Sequence, residues 1–76
     1  METYIIIEMQ TNGDTTNVVT PVVKTNFFEA EQEYHLKLSY AAVSNVEIHS
    51  VTMLNAKGNK VESKYFDHRT PEVAEE

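Results

Sequence analysis

The chain has 76 residues, no cysteine and a formal net charge of −6. That length holds one hydrophobic core and no second domain, and the lack of cysteine removes disulfides and thiolate zinc sites. The acidic balance, with its few lysines spread along the chain, opposes binding to phosphate backbones, so no nucleic-acid partner is expected.

No run approaches the ~20 apolar residues of a membrane span. Ile5-Ile6-Ile7 is too short for a signal core and has no basic lead. The expectation is a cytoplasmic chain without a membrane partner. A small domain lacking disulfides often gains stability by oligomerising, which favours self-association from the start.

Residues 3–11 read as a strand. Ile5, Ile7 and Met9 point one way, and Tyr4, Ile6, Glu8 and Gln10 the other. Asn12-Gly13 predicts a type I′ hairpin turn, because both residues tolerate positive φ. Asp14 leaves a four-residue loop through Thr15 open as well. Residues 16–24 form a second strand, rich in Val and Thr, which Pro21 confines to an edge or a bulge.

The period then changes. Asn26 is placed to cap a helix, with Glu29 three residues on to complete a capping box. Phe27, Ala30, Tyr34, Leu38 and Ala41 recur at helical spacing as a core stripe. Glu29, Glu31 and Glu33 sit near the N-terminus, where the helix dipole favours negative charge. Ser44-Asn45 ends the helix.

Residues 46–54 make a third strand. Asn55-Ala56-Lys57-Gly58 fits a type I turn closed by a glycine bulge. Residues 59–68 make a fourth strand, charged enough for an edge. The domain is read as 1–68, followed by a flexible acidic tail over 69–76.

These elements predict an α+β fold of order ββαββ. Its four-stranded antiparallel sheet runs 2-1-3-4, with one helix on one face. A parallel central pairing of the first and last strands is the less favoured alternative.

One helix covers one sheet face, and the other should then be polar. Here every strand carries apolar residues on both faces. Leu36, Tyr40 and Val43 also form a second helical stripe, roughly opposite the first. Scattered exposed apolar residues are common, but a contiguous patch marks an interface. The candidate interface is Tyr4, Ile6, Val19, Val23, Leu36, Tyr40, Val43, Ile48 and Phe66. The partner expected for it is a second copy, as a homodimer or higher homo-oligomer.

The chemistry-bearing residues are few. Glu31 and His35 lie at i, i+4, a spacing able to hold a metal, but two further ligands are not specified. No metal or cofactor is therefore expected. His49 should lie opposite Tyr65 as cross-strand packing, and His68 should be solvated. No GxSxG, Walker-type loop, GxGxxG or HExxH occurs, so an enzyme is not expected. The Tyr and Phe residues lack interleaved basic groups and read as packing.

The stretches IEMQTNGD (7–14), EAEQEYH (29–35) and AAVSNVEIHSV (41–51) resemble those of small uncharacterised proteins of phages, prophages and mobile elements of Gram-positive gut bacteria. That family has no assigned activity, so the resemblance brings no functional residues. It implies a phage-associated accessory or structural module, in the host cytoplasm or with the virion. The alternative is an acidic decoy or inhibitor that binds a basic host or phage protein through its negative charge.

Overall fold

The Ile-rich segment forms β1 (Tyr4–Asn12), the strand on which the sheet is organised. The computed structural model describes residues 2–69. After β1 come β2 (Thr15–Val18), β3 (Val22–Lys24), α1 (Phe27–Ala42), β4 (Ile48–Asn55) and β5 (Lys60–Asp67). All pairings are antiparallel. The sheet order is β2-β1-β4-β5, with β3 also paired to β1.

The architecture is thus one helix packed on an antiparallel sheet, as read from the sequence. The strand count differs. The second strand, expected over 16–24, is two strands that pair with successive stretches of β1. Pro21 has no N–H to donate, and the ladder breaks around it. The Val19 N–H still donates to the Glu8 carbonyl at 2.9 Å, so the chain stays tied to β1 across the gap. Five strands therefore stand where four in the order 2-1-3-4 were expected.

The first turn also departs from expectation. Asn12 pairs with Thr15, which leaves Gly13-Asp14 as a two-residue loop. Gly13 has φ 60, and no non-glycine among the described residues has positive φ. This is the type II′ pattern, with glycine at the first central position, and not the I′ turn. Asn12 is freed for another task. Its Oδ1 accepts from the Glu47 N–H at 3.1 Å, while the Gly13 N–H donates to the Glu47 carboxylate at 2.8 Å. The hairpin tip is thereby fastened to the segment that enters β4.

The second hairpin follows its sequence signature. The Gly58 N–H donates to the Asn55 carbonyl at 2.9 Å, and Gly58 takes φ 84. The Asn55 side chain accepts from the N–H groups of Lys57 and Asn59. Further along, the ladder shifts. Leu54 pairs with Lys60, but Met53 pairs with Glu62, so Val61 is an extra residue in β5. This bulge moves the register by one and places His49 opposite Phe66, with Tyr65 opposite Ser50. The expected pairing of His49 with Tyr65 assumed an unbroken ladder.

Asn26 caps α1 as predicted: its Oδ1 accepts from the N–H groups of Phe28 at 2.8 Å and Glu29 at 3.1 Å. The returning bond from Glu29 is not among the hydrogen bonds of the described residues. Ala30, Tyr34 and Ala41 turn inward and are buried. Phe27 lies at the margin, 39% exposed, edge-on to the Tyr4 ring at 5.5 Å.

The core comprises Ile6, Ala30, Tyr34, Val51 and Met53, flanked by Tyr4, Val22 and Leu38. Its largest fully buried side chains are Ile6, Met53 and Val51. Each contributes about 1.5–3 kcal/mol, a thin interior for a chain that must order this many residues. The tail expected over 69–76 lies, from residue 70 onward, outside the described residues. Arg69 is described, and its guanidinium binds the Asp67 carboxylate.

Candidate functional site

Side chains alternate across a strand, so the register assigns each strand residue to a face. Ile6, Val51 and Met53 are under the helix, which puts Ile5, Ile7 and Met9 of β1 on the uncovered side. Ile48 and Leu54 of β4 join them there. Val18 opposite Met9 and Val23 opposite Ile5 extend the apolar area on one flank. Tyr65 extends it on the other. Val18 and Val23 are each 59% exposed and Tyr65 is 65% exposed. Between the apolar groups stand the hydroxyls of Thr11, Thr16, Ser50, Thr52 and Ser63, two pairs of which bond each other across strands.

The charges are distributed the opposite way to a two-layer fold with one wet face. Glu8, Glu62 and Lys64 pair with Val51, Met53 and Val51 respectively, or neighbour them, and so lie on the helix side. Lys24 pairs with Tyr4 and lies there too. The central strands β1 and β4 place no Asp, Glu, Lys or Arg on the open face. Only Asp67 and Lys60, at the two ends of the edge strand β5, do so by register.

The residues singled out from sequence fall into three places. Val23 and Ile48 are on the open face. Leu36 and Tyr40 are exposed on the outer side of α1, and Val43, expected within the helix, is its exposed C-cap. Tyr4, Ile6 and Phe66 lie on the helix-covered side, and Ile6 is fully buried in the chain's own core. Ile6 is thus core and not partner surface, since helix packing had already used its face of β1. Val19 is half-buried at the break between β2 and β3.

Sequence reasoning missed Ile5, Ile7, Met9, Val18, Leu54 and Tyr65 on the open face, and Phe28 beside the helical stripe. A signal was present: Glu8 marks the side of β1 that it shares with Ile6. Read as a solvent mark, it points to the wrong face, because its partner His49 is 41 residues downstream.

Glu8 is accommodated beneath the helix by a polar line. His49 Nε2 donates to Glu8 Oε2, and Ser44 Oγ lies 2.8 Å from His49 Nδ1. Gln10 Nε2 donates to Glu8 at 3.1 Å, and Lys37 Nζ lies 3.5 Å from its other oxygen. Burial alone would raise the Glu8 carboxyl. The bonds from His49 and Gln10, with the charges of His49 and Lys37, together outweigh burial and hold it below its ordinary 4.5. His49 is 3% exposed and Ser44 is half-buried. The Ser44 hydroxyl also reaches the Ala41 carbonyl and accepts from the Val46 N–H. Its partners are those of a helix-terminal hydroxyl that closes a chain reversal. His68, exposed as expected, nonetheless donates from Nε2 to the Ala41 carbonyl at 2.9 Å and satisfies a helix-terminal acceptor.

No protein family, no curated protein and no solved structure matches the chain. Among the described residues, no helix is long and apolar enough to cross a membrane.

Proposed function

We propose that this chain is a non-enzymatic, self-associating module whose working form is a homodimer packed sheet on sheet through the open face. The observation that carries this reading is the charge partition. The strand residues Glu8, Lys24, Glu62 and Lys64 share the helix side, while the face nominally open to water is apolar and hydroxylic on both central strands. Two copies, each of net charge −6, repel over most orientations, and the central strands of this face let them meet with Asp67 and Lys60 confined to the ends of the edge strand.

Size supports the same partner. Eight residues along β4 and four strand lanes give a face of roughly 27 by 19 Å. Two such faces together bury on the order of 1,000 Å², the lower edge of a specific interface. Aligned sheets pack about 10 Å apart with interdigitated side chains, and the second sheet would supply the cover that α1 supplies on the other side. Dimerisation also adds stability to a thin core by mass action.

Sedimentation velocity at micromolar concentration tests the reading. A dimer of the 8.7 kDa chain is expected, persisting in ~0.5 M salt. Ile7→Lys should yield a folded monomer. A wild-type chain that stays monomeric at tens of micromolar sinks the proposal. The acidic decoy reading makes the opposite salt prediction, since a charge-led complex with a basic protein dissolves under that screening. A role as a phage or prophage accessory or structural module rests on the resemblance alone. Gene neighbours that belong to no mobile element would count against it.

A further inference from the structure

Glu31 and His35 project from the same side of α1, and the fold brings Glu62 of β5 to them. The ligand atoms of these three side chains all lie within 4.8 Å of one another. His35 Nε2 is 2.9 Å from Glu31 Oε1. The other carboxylate oxygen, Glu31 Oε2, is shut from solvent and has no hydrogen-bond partner among the described residues. We propose that Glu31, His35 and Glu62 form a binding site for a divalent first-row transition ion of the zinc class, bridging the helix to the edge strand.

Three observations join in this assignment. The i, i+4 spacing by itself supplies two donors, short of the three that a zinc site with an open position needs; Glu62 is the third. A tetrahedral ion with bonds near 2.0–2.1 Å sets its ligand atoms about 3.3 Å apart. The ligand atoms, within 4.8 Å of one another and with His35 Nε2 2.9 Å from Glu31 Oε1, bracket that spacing. Glu31 Oε2 is shielded and unpartnered on a side chain that is 22% exposed, and an acceptor left without a partner is costly; a cation held by this carboxylate would offset that cost. One imidazole with two carboxylates gives a mixed nitrogen and oxygen set. That set suits zinc, cobalt, nickel or manganese over calcium or magnesium, which favour oxygen alone.

The charge balance is also suitable. Two carboxylates repel at this distance, and a divalent ion neutralises the pair. The cations of α1 do not fill the role: Lys37 is engaged with Glu8 and Glu33. His35 is 63% exposed, which leaves the site open on one side to solvent and to a fourth, water ligand. The site lies away from the open sheet face, so its test is independent of dimerisation.

The test is titration of the full chain with zinc chloride by calorimetry, and with cobalt chloride by visible absorption. One equivalent of zinc per chain is expected, with the absorption of a low-coordinate cobalt ion. The thermal midpoint should rise by about 5 °C or more at tenfold excess over Kd. His35→Ala and Glu62→Gln should each lose at least roughly tenfold in affinity, the scale seen for losing even an outer partner of a metal site. His68→Ala, which removes a histidine elsewhere on the surface, should bind as the wild type does. Affinity that survives both His35→Ala and Glu62→Gln, loss with His68→Ala alone, or no saturable binding by the wild type would each overturn the site.

Discussion

His49 Nε2 and Glu8 Oε2 form a hydrogen bond between residues 41 apart in sequence, beneath the helix and almost out of contact with water. A carboxylate only accepts, so Nε2 carries the proton. The opposite ring nitrogen faces the Ser44 hydroxyl. The contact fixes register as well as charge. Gln10 is the direct partner of His49, and Glu8 is its diagonal neighbour on the same face. A slip of one residue between β1 and β4 would turn Glu8 to the open side and leave His49 buried without an acceptor.

Removing one member of this pair should cost far more than removing both. His49→Leu takes the closest partner from a half-buried carboxylate that keeps only Gln10 and Lys37, and a loss of about 1–3 kcal/mol is expected. Glu8→Leu combined with His49→Leu should recover at least half of that loss. Urea unfolding of the three chains measures the difference. Equal losses in the single and double variants would show that the pair is not coupled.

Acid should weaken the fold through Glu8. Its carboxyl is held below 4.5 in the folded chain, so the unfolded chain binds more protons as pH falls past that value. The contribution is complete above about pH 5 and is lost as pH drops through the lowered folded value. Chemical unfolding from pH 7 to pH 3 should show a steeper acid decline in the wild type than in Glu8→Gln. Parallel curves would remove Glu8 from the account.

The two turn glycines should be needed for backbone reasons alone. Gly13 and Gly58 have φ 60 and φ 84, and nothing lies within 4 Å of an added Cβ at either. Gly58→Ala should therefore cost about 1–2 kcal/mol from the left-handed conformation. A D-alanine at the same position, in a synthetic chain, should cost little. Asn26→Ala should cost about 1 kcal/mol by removing the acceptor for two helix N–H groups.

A chain without cysteine permits a clean map of the proposed contact. Thr52→Cys, at the middle of the open face, should react with a maleimide more slowly as protein concentration rises. Leu36→Cys, on the outer helix, should react at one rate throughout. Slowing at position 36 and not at 52 would move the contact to the helix stripe.

Much of the architecture is written in local pattern. Asn26 announces the helix, the inward spacing of Ala30, Tyr34 and Ala41 states which side packs, and Asn55 with Gly58 specifies the second hairpin. Each depends on residues within a few positions of one another, so the information is in the chain itself. Pro21 marks its segment as an edge or bulge because it has no N–H to donate, but the splitting of the expected strand over 16–24 into two is decided by the pairing with β1.

What tertiary structure alone decided was which face of each strand the helix would cover. Alternation gave two apolar faces on β1, and nothing local ranks Ile6 above Ile5 and Ile7. Contacts distant in sequence settled it: Glu8 finds His49 and Lys37 only on the helix side. The extra Val61 turns Phe66 inward and Tyr65 outward by shifting one ladder by one residue. The third donor beside Glu31 and His35 arrived in the same way, from a strand whose register no neighbouring residue encodes. A pleat of period two makes every such shift a change of face, which is why sequence spacing named the elements and long-range pairing distributed their surfaces.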